Sequence, residues 1–299
     1  MKHLFLSLLL LCTSAVLADG VKIGDLYYNL NEADLTAEVT YQYKGLINYS
    51  ELPEADLEVP ESVFYDQHTY AVTAIGYQAF VYCSAINTVT LPSSIREIGA
   101  NAFMQCTKLR KISIPYTVRA IGTMAFYNCT RLTAFTVPDS VRQVRGSTFE
   151  GCTSLVHISL PDSMSALFDG ALKNCSALRQ IILPAGLTAI GKNVFNGNTA
   201  LQAIYCQVDS PLVVTNNFTG VDTLTCKLYV PEGSIDAYRQ AKVWRDFRYI
   251  LPLPYELPDA IHVTTTDRLV EPKKILDNNQ LVIQLPNGIR YTVTGIRLR

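Results

Sequence analysis

Charge is scarce in this chain of 299 residues: Asp, Glu, Lys and Arg make up 17% of it, against roughly 25% in an ordinary soluble domain. The 25 basic and 26 acidic residues nearly cancel and form no like-charged block, which argues against a nucleic-acid binder. Only four histidines occur, at scattered positions. No Cys-x-x-Cys, His-Glu-x-x-His, Gly-x-Ser-x-Gly, phosphate-binding glycine loop or calcium-loop pattern is found. Metal, thiol-redox, acyl-transfer and nucleotide chemistry therefore have no local signature. The stretch Ala71 to Tyr205 holds only five carboxylates, none arranged as a glycosidase pair. These absences point to a non-enzyme with no cofactor and no metal. Disorder is excluded as well, because a chain that is 48% hydrophobic can bury enough surface to offset its ordering entropy.

Long apolar runs are lacking too. The longest, Leu4 to Leu11 after Lys2 and His3, ends near Val16-Leu17-Ala18 and is shorter than the roughly 18 residues a membrane span needs. Its basic start, apolar middle and small-residue end read as a signal peptide over residues 1–18, so the mature chain is expected to be exported, without a transmembrane span.

What the chain has in abundance is repetition, on a 23-residue period. Phe80, Phe103, Phe126, Phe149, Leu172 and Phe195 fall on it without an insertion, as do Cys83, Cys106, Cys129, Cys152 and Cys175. Pro92 to Pro184, Ile75 to Ile190 and Leu109 to Leu201 form three further columns. Within one unit, Leu109-x-x-Ile112-x-Ile114 alternates as a short strand does, and Pro115, with no N–H to donate, ends it. Val118 and Ile121 run along a second wall, Gly122 offers a corner suited to positive φ, and Ala125-Phe126-x-x-Cys129 has the spacing of one helical turn. No unit can bury its apolar side alone, so units must stack into a solenoid, with rungs roughly 4.8 Å apart. Arg145-Gly146 and Leu167-Phe168 interrupt the Ile-Gly pair and Leu172 replaces Phe, so the fifth rung is expected to be the least regular.

The unit Leu109 to Cys129 resembles the 23-residue leucine-rich repeat of the BspA-like bacterial surface proteins, over Ala71 to Tyr205. The resemblance implies a right-handed, β-rich leucine-rich-repeat solenoid with one short helical turn per rung and capped ends. It also implies adhesion to extracellular-matrix protein or to other cells.

Around the solenoid (residues 71–205, about six rungs), the sequence divides into a β cap at 19–70 and a C-terminal cap at 206–250 with a helix over 234–248. A Pro-rich linker and extended segment follows at 251–280, and a β-hairpin tail at 281–299. Ser234 is the expected N-cap of the helix, and Trp244, the lone tryptophan, is read as core-facing. Asn287-Gly288 between strand-like runs signals the hairpin. Its phrases resemble the tails of exported Bacteroidetes proteins, some of which serve as sorting signals to a secretion or anchoring machinery.

The column cysteines are expected to be buried thiols, while Cys206 and Cys226 lie off the column and could pair. Residues 19–70 carry 2 basic and 11 acidic side chains, whereas 71–205 carry 11 basic and 5 acidic. Arg96, Arg119 and Arg142 recur at the repeat period, as do Lys108 and Arg131, so stacking would align each set into a stripe able to meet an acidic glycan or protein surface. The expected function is non-catalytic binding of an extracellular protein or glycan, with adhesion foremost. A structural or carbohydrate-capture role in the cell envelope is the alternative.

Overall fold

The computed structural model describes residues 20–41 and 55–258 and, as backbone strands, Lys273–Asp277, Gln280–Gln284, Arg290–Thr292 and Arg297–Leu298. The signal-peptide reading of residues 1–18 and the Asn287-Gly288 turn fall outside the described residues. The chain divides into two units, Met1–Ile261 and His262–Arg299.

The first unit is a β-solenoid of about eight turns. Its first wall is built from parallel strands: Ala55–Glu58, Ile86–Thr90 and Lys111–Ser113; then Ala134–Thr136 and His157–Ser159; then Gln180–Leu183, Ala203–Cys206, Lys227–Val230 and Tyr249–Pro252. The second wall is a ladder of two-residue strands, each one repeat after the last: Glu97–Ile98, Ala120–Ile121, Gln143–Val144, Ala166–Leu167 and Ala189–Ile190. At its start it joins an antiparallel meander, Val21–Ile23, Leu26–Asn31 and Thr36–Thr40, through parallel pairing of Thr36–Thr40 with His68–Ile75. The second wall is thereby extended by paired strands at its start, so its repeat ladder does not end there in a bare edge.

The third side of each rung differs from the helical turn expected. Two i→i−3 turns follow one another, Ala125 N–H to Gly122 O and Cys129 N–H to Phe126 O. The N–H groups between them turn outward along the stack: Met124, Phe126 and Asn128 donate to Gly146, Thr148 and Glu150 of the next rung at 3.0, 2.9 and 2.8 Å. This third ladder requires positive φ at two places per rung, such as Asn101 and Gln105 (57° and 59°) or Met124 and Asn128 (both 56°). Helical φ would turn those donors back into the rung and leave the stack without its third set of bonds.

Gly122 is needed for closeness and not for positive φ, correcting the sequence reading. A Cβ on Gly99 would stand 2.7 Å from the Gly76 carbonyl carbon and 2.8 Å from Tyr77 N, and one on Gly122 would collide with the Gly99–Ala100 backbone. Successive rungs touch through their main chains at this corner.

The Phe, Ile, Leu and Cys columns all lie in one buried core. Phe80, Phe103, Phe126 and Phe149 stack at centroid separations of 5.2, 5.5 and 5.6 Å, wider than the strand spacing expected. The column runs one rung further than the sequence suggested, to Phe218, stacked on Phe195 at 5.6 Å. Each of these column thiols has a partner: Cys106, Cys129, Cys152 and Cys175 Sγ donate to the carbonyls of Phe80, Phe103, Phe126 and Phe149 at 3.1–3.2 Å. Their backbone N–H groups, where bonded within the rung, reach the Phe of their own turn, as Cys129 does at 3.1 Å.

At the C-terminal end the helix is shorter than the 234–248 expected. It spans Ile235–Gln240, and Trp244–Asp246 forms a separate turn. Ala241 is extended and Val243 has φ 74°; this break seats Trp244 in the core, with its indole N–H on Leu212 O at 2.8 Å. Ser234 precedes the helix but makes no side-chain cap bond. Leu251 and Pro252, expected in a linker, lie in the edge strand Tyr249–Pro252, a position where a missing N–H is harmless. In the second unit, Lys273–Asp277, Gln280–Gln284, Arg290–Thr292 and Arg297–Leu298 form an antiparallel meander, with Ile283 opposite Tyr291.

Candidate functional site

The fifth rung, expected to be the least regular, keeps its second-wall bonds on both sides: Phe168 N–H to Val144 O at 2.9 Å and Gly191 N–H to Leu167 O at 2.7 Å. Its first-wall strand His157–Ser159 pairs back to Ala134–Thr136 but not forward to Gln180–Leu183. The larger break lies earlier, between the third and fourth rungs, where the strand ladders of both walls are interrupted and the first wall keeps only the bonds of Thr133 N–H and hydroxyl to Arg110 O, at 3.3 and 3.5 Å.

The second-wall register makes the break plain. Arg119 N–H bonds Arg96 O and Gly122 N–H bonds Ile98 O, both at 2.8 Å. One period later, the matching bonds from Arg142 N–H to Arg119 O and from Arg145 N–H to Ile121 O are absent. Three substitutions fall on this fourth rung. Arg145 occupies the column of Gly76, Gly99 and Gly122; Phe135 replaces Ile112, its ring centroid 5.0 Å from Phe126 and 4.6 Å from Phe149; Thr148 replaces Ala125. The Thr148 hydroxyl lies 2.8 Å from Arg145 O and 3.4 Å from Gly122 O, a side-chain link across the step. Phe168 also departs from Gly, yet its ladder bond survives, so the missing glycine acts together with the bulkier Phe135.

The opening is a cavity of about 170 Å³ lined by Arg119, Ala120, Ile121, Ser140, Val141, Arg142, Gln143 and Arg145. The three arginines are exposed and form no ion pair among the described residues. No carboxylate lines the cavity, and Glu97 sits one rung away, opposite Ala120.

Of the residues singled out in the sequence, Arg119 and Arg142 thus meet at one place, while Arg96 does not join them. Its guanidinium folds onto its own corner, 2.7 Å from Ser93 O and 3.2 Å from Ile95 O. Lys108 and Arg131 lie on the turn side and do not line the cavity. Arg145 was visible in the sequence only as a fault in the Ile-Gly column, and that fault was the signal.

The bridge considered between Cys206 and Cys226 is not formed. Both are free and buried, with Cys206 Sγ 3.2 Å from the Tyr238 hydroxyl, which donates to Val208 O at 2.8 Å. Burial pushes Cys226 and Cys152 up to about 12 and holds Cys106, Cys129 and Cys175 well above the usual thiol range. A thiol kept protonated in this way is a poor nucleophile. His157 is lowered by burial and by the nearby Arg179 charge, which favours its neutral form. Among the described residues, no group of three His, Cys, Asp or Glu side chains converges to hold a metal ion, and no helix is long and apolar enough to cross a membrane.

Residues 73–202 match the sequence profile of the BspA type leucine rich repeat region, in six copies. This segment is a BspA-type leucine-rich repeat region. A search of the curated proteins found no match.

Solved structures similar to the chain include a leucine rich cell surface protein from Faecalibacterium prausnitzii. It is 22% identical, with a TM-score of 0.48, and the match covers 92% of this chain and 60% of that one. A T. pallidum leucine rich repeat protein is 24% identical with a TM-score of 0.38, over 62% of this chain and 71% of the other. A leucine-rich repeat protein from Bacteroides ovatus is 22% identical with a TM-score of 0.32, over 78% and 76%. The present chain therefore spans less than two thirds of the F. prausnitzii protein. The BspA-type repeats account for the Phe, Cys, Pro and Ile columns; the opening at Arg119, Arg142 and Arg145 is where this chain breaks their pattern.

Proposed function

We propose that the protein is an exported, non-catalytic binding module whose repeat walls meet an extracellular protein or glycan at the cell surface, in adhesion to matrix protein or to other cells. The observation that carries this reading is the repeat region itself. Four of its column thiols are spent on internal bonds to Phe carbonyls, and its arginines are turned outward. Chemistry inside the stack is used to hold the stack, and the outer faces are left for a partner. The N-terminal run Leu4 to Leu11 followed by Val16-Leu17-Ala18 supports export. The outward basic residues support an acidic partner, and the tail after residue 281 supports an encounter with secretion or anchoring machinery.

The test is binding of the mature chain to arrays of immobilised matrix proteins and glycans, with an Arg96→Ser, Arg119→Ser, Arg142→Ser triple variant beside it. Binding reduced in the variant supports an acidic partner at the stripe. Binding equal in both removes the stripe, and no binding to any macromolecule removes adhesion. Fractionation of cells carrying the chain with and without residues 255–299 tests export and the role of the tail together.

A carbohydrate-capture role in the envelope is favoured by one feature. Tyr205 and Tyr229 lie half-buried on the first wall with rings parallel within 4° and 4.7 Å apart, and aromatic faces and edges of this kind suit sugar rings. Surface anchoring together with polysaccharide affinity lost in Tyr205→Ala would support that reading over adhesion.

A further inference from the structure

In a solenoid, each rung's backbone donors are satisfied by its neighbours, so a ligand finds few free donors along the walls. The second wall at the step between the third and fourth rungs departs from this pattern. There, Arg142 N–H and Arg145 N–H have no partner among the described residues, and the cavity beside them is lined by Arg119, Arg142 and Arg145. No carboxylate lines it to neutralise them. Its volume of about 170 Å³ far exceeds the roughly 10–15 Å³ needed to hold one water.

We propose that this opening is an oxyanion site that takes a tetrahedral sulfate or phosphate ester carried on an extracellular glycan. Three features point to a tetrahedral group. The lining holds three guanidinium side chains and lies beside two unpartnered backbone N–H groups, more donors than the two oxygens of a carboxylate can serve. Guanidinium groups present paired N–H donors that match oxyanion edges. The backbone N–H groups of Arg142 and Arg145, on either side of the strand Gln143–Val144, add fixed donors that need no ordering when the ligand arrives. The charge is also one-sided: residues 71–205 hold 11 basic and 5 acidic side chains, and the nearest carboxylate on the outward column of this wall is Glu97, one rung removed. The site deepens the reading of the rungs as a ligand surface and rests on it for the source of the oxyanion.

The same rung explains why the opening falls at this step. Phe135 stands against both Phe126 and Phe149 inside the step, Arg145 takes the position at which Gly99 and Gly122 meet the main chain of the previous rung, and the Thr148 hydroxyl bridges the turn side. The third ladder runs on unbroken there, with Phe126 N–H on Thr148 O at 2.9 Å, so the opening sits in a stack that remains continuous.

The experiment titrates inorganic sulfate and, separately, inorganic phosphate into the mature chain, reading backbone amide shifts and affinity. It is repeated with a sulfated glycan and a phosphorylated one to identify the source. Variants are Arg142→Ser and Arg145→Ser, with Arg245→Ser on the C-terminal cap as control; all three side chains are exposed, and circular dichroism verifies folding. The expected result is the largest amide shifts at Arg142 and Arg145, affinity about tenfold weaker in each cavity variant, and no change in Arg245→Ser. Equal losses in Arg245→Ser and Arg145→Ser, or no amide shift at the opening, would overturn the proposal. Glycan binding that survives Arg145→Ser unchanged overturns it while leaving adhesion standing. Sulfate binding at the opening without binding to any macromolecule supports the site and removes adhesion.

Discussion

The thiol column sets a measurable limit on alkaline stability. Cys106, Cys129, Cys152 and Cys175 are fully buried, and each Sγ donates to a Phe carbonyl. Burial raises the pKa of all four, Cys152 to about 12. In the unfolded chain a thiol titrates near about 8.5. Raised folded-state values mean that this contribution to stability is fully present below that pH and is lost as the pH rises toward the folded values, because only the unfolded state then gains by releasing protons. Each thiol costs about 1.4 kcal/mol per pH unit above about 8.5. Four together cost about 6 kcal/mol at pH 9.5, a large share of the roughly 5–15 kcal/mol that holds a domain folded.

The assay is equilibrium guanidinium unfolding at pH 7.5, 8.5 and 9.5 in anaerobic reducing buffer, followed by the fluorescence of Trp244, the lone tryptophan, and by circular dichroism. Stability should fall by about 1 kcal/mol between the first two and far more steeply by the third. Cys129→Ala should be less stable at pH 7.5, having lost its bond to Phe103 O. Its deficit should narrow by about 1.4 kcal/mol at pH 9.5, since it has one thiol fewer to ionise. A wild type whose stability is flat to pH 9.5, or a variant curve parallel to it, would refute the account of the column as a set of protonated, carbonyl-bonded thiols.

The glycine corners separate closeness from conformation. Gly122→Ala places a methyl against the Gly99–Ala100 backbone and should cost about 1–3 kcal/mol, whereas Gly146→Ala, whose nearest neighbour is Asp169 O at 3.5 Å, should stay within about 0.5 kcal/mol; thermal melts of the pair decide it, and equal losses would refute the contact. Tyr238→Phe strands the Val208 carbonyl that its hydroxyl reaches at 2.8 Å and should cost about 1–3 kcal/mol by chemical denaturation. If that substitution is neutral, the cap core does not depend on the bond.

Much of the fold could be read from the period because stacking forces like residues into like environments. A Phe at one rung must meet a Phe at the next, so Phe80 to Phe149 announced the stack before any coordinate did. The rest was hidden by chemistry that leaves no repeated letter. Positive φ falls on Gln78, Asn101, Met124 and Ser147 in one column, residues with little in common, so the third ladder could not be seen and Ala-Phe-x-x-Cys looked like a helical turn. Phe218 stays on the Phe column but escaped notice because the columns around it had already changed. Asn198 stands in the Cys position and Gln207 in that of Pro, and the next first-wall strand slips in register, with Ile204 opposite Leu228 rather than Lys227. Gly122 was recognised as a corner but for the wrong reason, since a sequence does not show how near the previous rung lies.

The opening at Arg119, Arg142 and Arg145 follows from the same logic turned around. Regular columns satisfy their own donors, and the more faithfully a rung repeats, the less it leaves for a ligand. Three departures on one rung, Phe135, Arg145 and Thr148, each look minor as single replacements. They fall on the inside, the corner and the turn of the same step, where the strand ladders of both walls are interrupted while the third side holds. Departures spread over different rungs do less, as Phe168 shows by keeping its bond to Val144. In this protein the place to look for recognition is therefore the rung where interruptions coincide, and there the outward charge is unopposed.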